Sequence, residues 1–213
     1  MEVKSLSVQF GQKTIFDNFN ISFSSGVTAI LGPSGVGKTT LLKAIANLIE
    51  YSGEISSEEI GFVFQEARLI PSLTALGNLK LVTKDENLAR EMIKKVELEG
   101  FEKYYPKQLS GGMAQRLNLA RAFACGGDIL MDEPFKELDY SLKGRIMDLF
   151  LSLMDKNKTA ILVTHDVDEA IYLADRIIVF GGEPCKVFLD LPKDTQGLKE
   201  RVITAINNAK TDL

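Results

Sequence analysis

The segment that decides the fold is a glycine-rich stretch, and it reads Gly32-Pro33-Ser34-Gly35-Val36-Gly37-Lys38-Thr39-Thr40. The apolar run at 27–31 before it predicts a buried strand, and the apolar spacing from Leu41 to Leu48 predicts an amphipathic helix. A strand, a glycine loop and a helix in this order are typical of a phosphate site. Glycines let the backbone turn several N–H groups inward, and the helix N-terminus favours negative charge.

Two side chains of this segment predict its chemistry. Lys38 would bring a positive charge to the outer phosphates of a nucleotide, and the hydroxyl of Thr39 is a ligand that Mg²⁺ accepts. A glycine-rich turn that contains lysine and threonine by chance is the alternative. The flanking strand and helix favour the phosphate site.

Length, composition and charge narrow the class of protein. The 213 residues, 45% hydrophobic and 25% charged, fit one globular domain or one domain with a small subdomain. A net charge of −4 without a basic run gives no reason to expect nucleic-acid binding. Cys125 and Cys185 lack a metal-like spacing, so we expect free thiols in a reducing compartment. We find neither a signal-peptide core nor an apolar run of membrane-spanning length, which predicts a cytosolic location.

Buried strand patterns alternate with helical patterns through the second half of the chain. The strands are expected at 128–131, 160–163 and 176–180, and the helices at about 140–154 and 167–174. This alternation predicts a mostly parallel sheet covered on both faces.

Three further regions add to this core. Residues 1–31 alternate like antiparallel strands, and two short strands are expected at 52–55 and 60–64. The charged residues 72–108 predict a small helical insert, and the tail 192–213 predicts one helix.

Polar side chains stand at the expected carboxyl ends of the strands, where doubly wound sheets bind ligands. Asp132 would hold Mg²⁺ through the water shell of the ion, and Glu133 would polarise a water that attacks the γ-phosphate. His165, the single histidine of the chain, follows a buried strand and is expected at the γ-phosphate. Gln65 could reach Mg²⁺ or the attacking water. A solvated Asp-Glu pair, an exposed histidine and a surface glutamine are the structural alternatives.

Phe10 ends the first expected strand, just before Gly11. Its pattern alone favours a hairpin core residue over a platform on which an adenine ring stacks.

The segment Leu109-Ser110-Gly111-Gly112-Met113-Ala114-Gln115-Arg116 resembles the signature motif of the ATP-binding subunits of ABC transporters. Ser110 and two glycines at a helix N-terminus would form a second anion-binding loop, about seventy residues after the first. The resemblance covers nearly the whole chain. It implies an α/β P-loop NTPase of the ABC ATPase type, with a mostly parallel core, a small antiparallel β subdomain and a helical subdomain. It also implies a single domain, 1–213, with the helical subdomain at 72–120.

The resemblance assigns a role to each matching residue. Phe10 becomes the adenine-stacking aromatic, and Gln65 becomes the glutamine that senses the γ-phosphate and links to the membrane partner. The expected metal residues are Thr39, Gln65 and Asp132. Asp132 corresponds to the Mg²⁺ carboxylate and Glu133 to the catalytic base. His165 corresponds to the switch histidine and Asp139 to an interface aspartate. The nucleotide-binding residues are Gly32, Pro33, Ser34, Gly35, Val36, Gly37, Lys38, Thr39 and Thr40, together with Ser110, Gly111 and Gly112.

The resemblance also implies partners. Two subunits would pair head to tail around Mg-ATP, each nucleotide lying between the Gly32–Thr39 loop of one copy and the Ser110–Gly112 loop of the other. The pair, expected as a homodimer, would drive a transmembrane permease from the inner face of the membrane. An extracytoplasmic solute-binding protein is expected in the same system. No nucleic acid is expected.

Several positions depart from the family pattern or point to a subgroup. Met113 stands where a polar residue is usual, and Lys136-Glu137 replaces a small-residue version before Leu138-Asp139. Phe64-Gln65-Glu66, Arg68-Leu69-Ile70-Pro71 and Leu189-Asp190-Leu191-Pro192 are similar to the nitrate, sulfonate, taurine and thiamine-precursor importer group.

Two alternatives stay open beside the transport ATPase. One is a non-transport ABC ATPase of DNA maintenance or translation, which the single cassette and the absence of sustained heptads disfavour. The other is an inactive binding module, in which Met113 and Lys136 mark decay. A P-loop kinase fits least well, since it would not need Ser110-Gly111-Gly112.

Overall fold

The computed structural model describes residues 1–57, 59–136 and 138–211, which form two compact units. Unit 1 comprises residues 1–57, 130–132 and 155–211, and unit 2 comprises residues 59–129 and the described part of 133–154. Three positions of the predicted segments, Glu137, Asp212 and Leu213, lie outside the described residues. The single domain 1–213 and the insert bounds 72–120 stay a prediction.

The first part of unit 1 is an antiparallel sheet in the order β2-β1-β4. Its strands are β1 (Glu2–Phe10), β2 (Lys13–Ser22) and β4 (Ser52–Ser56). Val3 pairs with Ile21 of β2 and Ile55 of β4, and Leu6 pairs with Phe19 of β2. The predicted antiparallel addition at the N-terminus is thus confirmed. Its alternating pattern buries one face, on which Leu6 and Phe16 are fully covered.

The second sheet of unit 1 carries the phosphate loop, with strands in the order β6-β7-β3-β8-β9. Its strands are β3 (Gly26–Leu31), the last residues of β6 (Asp128–Asp132), β7 (Thr159–Val163), β8 (Arg176–Gly181) and β9 (Lys186–Pro192). The central strand β3 runs parallel to β7 and β8, and β9 is antiparallel to β8. The mostly parallel core is therefore confirmed.

The helices of unit 1 are α1 (Lys38–Ile45), α6 (Val167–Leu173) and α7 (Leu198–Thr211). The helix expected from Leu41 begins three residues earlier, because Gly37 ends the loop in a left-handed conformation and caps α1. The expectation of one helix over 192–213 is wrong at its start. Residues up to Pro192 complete β9 as a strand beside β8, so the helix starts only at Leu198.

Unit 2 is mainly helical. It contains β5 (Ile60–Val63) beside the start of β6, a 3₁₀ turn (Pro106–Gln108), and α2 (Ala75–Lys80), α3 (Glu86–Lys95), α4 (Gly111–Ala124) and α5 (Tyr140–Leu153). Helix α4 packs against β5, α3 and α2, and it buries Leu117, Leu119 and Ala120. It is therefore the central helix of this unit, and the polar side chains it carries are held at fixed positions.

Candidate functional site

The phosphate loop joins β3 to α1 in a path that two glycines make possible. Gly32 has φ 141°, and a Cβ there would lie 2.3 Å from the backbone oxygen of Phe180. Gly37 has φ 118°, and a Cβ there would lie 2.7 Å from Cγ2 of Ile15. Both positions combine a left-handed backbone with a close neighbour, so a larger residue would open the loop.

Lys38, the first residue of α1, is folded back into this loop. Its Nζ donates to the carbonyl oxygen of Gly32 at 2.8 Å and to that of Pro33 at 2.7 Å, and the side chain is buried. Charged lysines are rarely buried without such partners. The bonds therefore fix a positive charge within the loop, at the N-terminal end of α1.

Thr39 and Asp132 bring two oxygen atoms together in unit 1. The Thr39 hydroxyl donates to Oδ1 of Asp132 at 2.9 Å, although the residues lie 93 positions apart. Asp132 ends β6, and β7 separates this strand from β3 in the sheet. Hydroxyl and carboxylate oxygens suit Mg²⁺, which usually takes one or two protein ligands beside phosphate and water. The two residues thus fit the metal that the sequence predicts.

The loop that carries His165 is fixed by its neighbour Thr164. The Thr164 N–H donates to the carbonyl oxygen of Ile30 at 3.3 Å, which places the end of β7 beside the end of β3. Its hydroxyl donates to Oε2 of the buried Glu169 and accepts from the N–H of Asp166 at 3.1 Å. His165 itself is exposed. The structure therefore presents the histidine from a rigid turn at the same sheet edge as the phosphate loop.

Phe10 lies at the end of β1, where its side chain is 53% exposed. The interpretation as a hairpin core residue is therefore wrong, because the ring projects from the sheet instead of into its buried face. The exposed ring is available for stacking, and the adenine platform stays a prediction.

Cys185 lies close behind the phosphate loop. It lines a small cavity of about 10 Å³ with Gly35, Val36 and other residues of unit 1, and it is 4% exposed. Burial raises the pKa of the Cys185 thiol to about 12, and the positive charge of Lys38 offsets a smaller part of that rise. Both cysteines are free thiols, as predicted. The protonated Cys185 thiol acts as an apolar wall of the loop.

The second glycine loop lies in unit 2, at the start of α4. Ser110 is the N-cap of α4, and its hydroxyl accepts from the N–H of Met113 at 3.3 Å. The loop opens onto a groove of about 930 Å³. Among the groove residues are the predicted Ser110, Gly111 and Gly112, three basic residues and three acidic ones: Lys95, Arg116 and Arg145, and Glu97, Asp139 and Asp148. The groove lining therefore has no net charge, and the feature that favours an anion there is the N-terminus of α4.

Three polar side chains on one face of α4 hold the two segments that carry Gln65 and Glu133. Gln115 donates to the carbonyl oxygen of Pro134 at 2.7 Å. Asn118 donates to that of Phe64 at 3.2 Å, and Arg121 donates to that of Arg68 at 2.6 Å. The spacing of three residues puts these side chains in one row. We call this row the α4 polar row; it consists of Gln115, Asn118 and Arg121.

Glu133 has an unusual backbone and a close basic neighbour. Its φ is +48°, in the left-handed region that residues other than glycine seldom adopt. Its Oε2 lies 2.7 Å from Nζ of Lys136. Such strain is concentrated at functional sites. Gln65 follows the end of β5 in the same unit and is partly buried.

Sequence reasoning missed the α4 polar row, the Thr164–Glu169 bond and the Lys136–Glu133 pair. The recurrence of Gln115, Asn118 and Arg121 at every third position of α4 is a signal that could have revealed the row. The other two depend on backbone turns that the sequence does not display. In the described part of the chain we find no cluster of three His, Cys, Asp or Glu suited to a metal. No described helix is both long and apolar enough to traverse a bilayer.

Known proteins that are similar to this chain in sequence and those that are similar in structure belong to one family. A family model described as "ABC transporter" matches residues 16–136. An aliphatic sulfonates import ATP-binding protein, SsuB, of Bacillus cereus is 41% identical over 202 residues, covering 86% of this chain and 80% of the relative. SsuB 2 of Pseudomonas syringae pv. tomato is 38% identical over 210 residues, covering 94% of this chain and 90% of the relative. A dimeric ATP-binding cassette in a post-hydrolysis state with ADP and phosphate superposes with a TM-score of 0.76. It is 31% identical and covers 91% of this chain and 99% of its own.

Proposed function

Because the chain belongs to the ABC transporter family as an ATP-binding, ATP-hydrolysing subunit, we propose that it powers the import of an aliphatic sulfonate through a separate membrane permease. The observation that carries this proposal is the identity of about 40% to sulfonate import ATP-binding proteins over most of their length. The ATPase subunit does not need to contact the solute, so the substrate class rests on this relationship and not on the site.

The nucleotide is proposed to bind with its phosphates in the loop 32–40 and with Mg²⁺ at Thr39 and Asp132. Support comes from the buried Lys38 ammonium and from the 2.9 Å approach of the two oxygen ligands. Bound there, the ion would neutralise charge that develops on the phosphate oxygens. The exposed ring of Phe10 would stack on the base.

Hydrolysis is proposed to use Glu133 as general base. Its carboxylate accepts a proton from water while the water oxygen bonds to the γ-phosphorus and the bond to the departing ADP breaks. His165 would contact the γ-phosphate and Gln65 would orient the water. The rigid turn at Thr164 and the α4 polar row support these two roles, because each fixes the backbone beside the side chain concerned.

The active form is proposed to be a homodimer in which Ser110, Gly111 and Gly112 of one copy face the nucleotide of the other. The groove at the N-terminus of α4, which these three residues line, supports this assignment. Asp139, the N-cap of α5, also lines that groove. The dimer would bind its permease at the inner face of the membrane. An extracytoplasmic solute-binding protein would deliver the solute to that permease.

Growth on an aliphatic sulfonate as the sole sulfur source tests the proposed function. Deleting the gene in its own organism should abolish growth on ethanesulfonate and leave growth on sulfate unchanged. The wild-type gene and the exposed-site variant Glu99→Gln should restore growth, and Glu133→Gln should not. Undiminished growth of the deletion strain on every aliphatic sulfonate tried would contradict the proposed substrate class.

A further inference from the structure

The turn after β6 fixes the backbone of Glu133 and Lys136 at a set separation. The Lys136 N–H donates to the carbonyl oxygen of Glu133 at 3.3 Å. Between them, the Pro134 carbonyl accepts from Gln115 and Phe135 is buried in unit 2. The left-handed φ of Glu133 completes this tight turn. The two charged side chains are thus brought together by the backbone and not by chance rotation.

The side chains of this pair differ in their freedom to move. Lys136 is 56% exposed, whereas the Glu133 side chain is 15% exposed, and Nζ lies 2.7 Å from Oε2. Ion pairs with an exposed partner are weak, since water competes for the charge and the long side chain loses entropy on pairing. Water therefore reaches the Lys136 end of the pair more readily than the Glu133 end.

The ammonium opposes the chemistry proposed for the carboxylate. A general base needs an accessible carboxylate oxygen for the proton of the attacking water. Lys136 occupies Oε2 with a donor at 2.7 Å, so this oxygen is not available to the proton of the water while the pair is closed. The pair thus favours the resting position of Glu133 over its reactive one.

We propose that Lys136 is a positioning residue that restrains Glu133 through this ion pair, so that the subunit hydrolyses ATP slowly until the pair opens. The inference deepens the proposed function and rests on the role of Glu133 as general base. It assigns a specific effect to Lys136, where the chain departs from the family pattern. This residue slows ATP hydrolysis, and its presence is not a sign that hydrolysis has been lost.

Steady-state ATPase assays of the purified full chain test this restraint. Lys136→Met keeps the side-chain length and removes the charge. It should raise kcat about two- to fivefold, the range that loss of a weak ion pair allows, with KM for ATP unchanged.

Matched variants separate the charge from the shape of the side chain. Lys136→Arg should behave like the wild type. Lys80→Met breaks a 2.6 Å pair with Glu86 on the surface of the same unit, and it should leave kcat unchanged. Added KCl should raise kcat of the wild type by screening the pair, and it should not raise that of Lys136→Met.

Three outcomes would overturn the inference: a kcat of Lys136→Met no higher than that of the wild type, a kcat of the wild type that added KCl leaves unchanged, or an Arg variant that behaves like Met. The variant Glu133→Gln distinguishes this failure from that of the proposed function. If Glu133→Gln is slow and Lys136→Met resembles the wild type, only the restraint fails. If Glu133→Gln turns over normally, the role of Glu133 as base fails and the restraint fails with it.

Discussion

Nε2 of Gln115 lies 2.7 Å from the carbonyl oxygen of Pro134, the residue that follows Glu133. Gln115 is buried, and its helix begins one residue after Ser110. One rigid element therefore joins the second glycine loop to the backbone beside the proposed base. A displacement of α4 would be transmitted to Pro134 without any intervening flexible segment.

We expect Gln115→Leu to damage both stability and turnover. The substitution keeps a similar volume but leaves the carbonyl of Pro134 without this donor, which should lower the free energy of unfolding by about 1–3 kcal/mol. The kcat for ATP should fall more than KM rises, since the backbone next to Glu133 is released. Urea unfolding and steady-state kinetics measure the two effects. The exposed Gln196→Leu is the control, and an equally stable, fully active Gln115→Leu would refute the structural link.

The Thr39–Asp132 bond predicts a metal-dependent defect. Asp132→Asn keeps the shape of the side chain and removes its charge, so the Mg²⁺ concentration for half-maximal ATPase activity should rise about 10- to 100-fold. Binding of a fluorescent ATP analogue without Mg²⁺ should change little, because Lys38 and the loop remain. Identical Mg²⁺ titrations of the variant and the wild type would exclude Asp132 from the metal site.

Removing the proposed base should trap the nucleotide-bound pair. Glu133→Gln should slow hydrolysis about 10²- to 10⁴-fold while the loop still binds ATP. Light scattering after size exclusion should then show a dimer with Mg-ATP and a monomer without it. Glu99→Gln, on an exposed part of unit 2, should hydrolyse ATP normally and show no lasting dimer. A Glu133→Gln protein that stays monomeric at saturating Mg-ATP would contradict the paired arrangement.

The buried thiol of Cys185 predicts a fall in stability at alkaline pH. Its pKa is about 12 in the folded chain, against an ordinary value of 9.0. Above pH 9 the unfolded thiol loses its proton and the folded one keeps it. The contribution to stability is therefore complete below pH 9 and is lost as pH rises toward 12, at up to about 1.4 kcal/mol per pH unit.

A difference measurement isolates this effect from other titrating groups. The free energy of unfolding of the wild type minus that of Cys185→Ala should decrease steadily between pH 9 and 10.5, as measured by urea unfolding. The matching difference for Cys125→Ala, a less buried thiol, should change much less. A constant difference for Cys185 across this range would show that its thiol is not held protonated.

The elements that sequence reasoning predicted best are those set by local pattern. The apolar run before Gly32 could only be a buried strand, and the glycines and Lys38 then specify the loop. The bond between Thr39 and Asp132 follows less directly, since it requires β6 to lie two strands from β3. The phosphate loop and Asp132 nevertheless each stand at the end of a predicted strand, and this correctly predicted that they lie at the same edge of the sheet.

The features that escaped prediction depend on geometry that single residues do not display. The left-handed φ of Glu133 turns Lys136 toward its carboxylate, yet glutamate has no preference for that region. The apolar residues of β9 are interrupted at Asp190 and end at Pro192, and none of them is fully buried, so the pairing of this strand with β8 decides its structure. The pattern of β1 alone places Phe10 in the core and is wrong for a related reason, because a strand end does not reveal which face is covered.

The half-exposed ring of Phe10 has a consequence for the selection of the nucleoside triphosphate. A phenyl ring binds a nucleobase by stacking, and it forms no hydrogen bonds to the exocyclic groups that distinguish adenine from guanine. With the base lying on this ring as proposed, the subunit has little means at this position to reject GTP or CTP. Cellular abundance, more than molecular selectivity, would then decide which triphosphate it consumes.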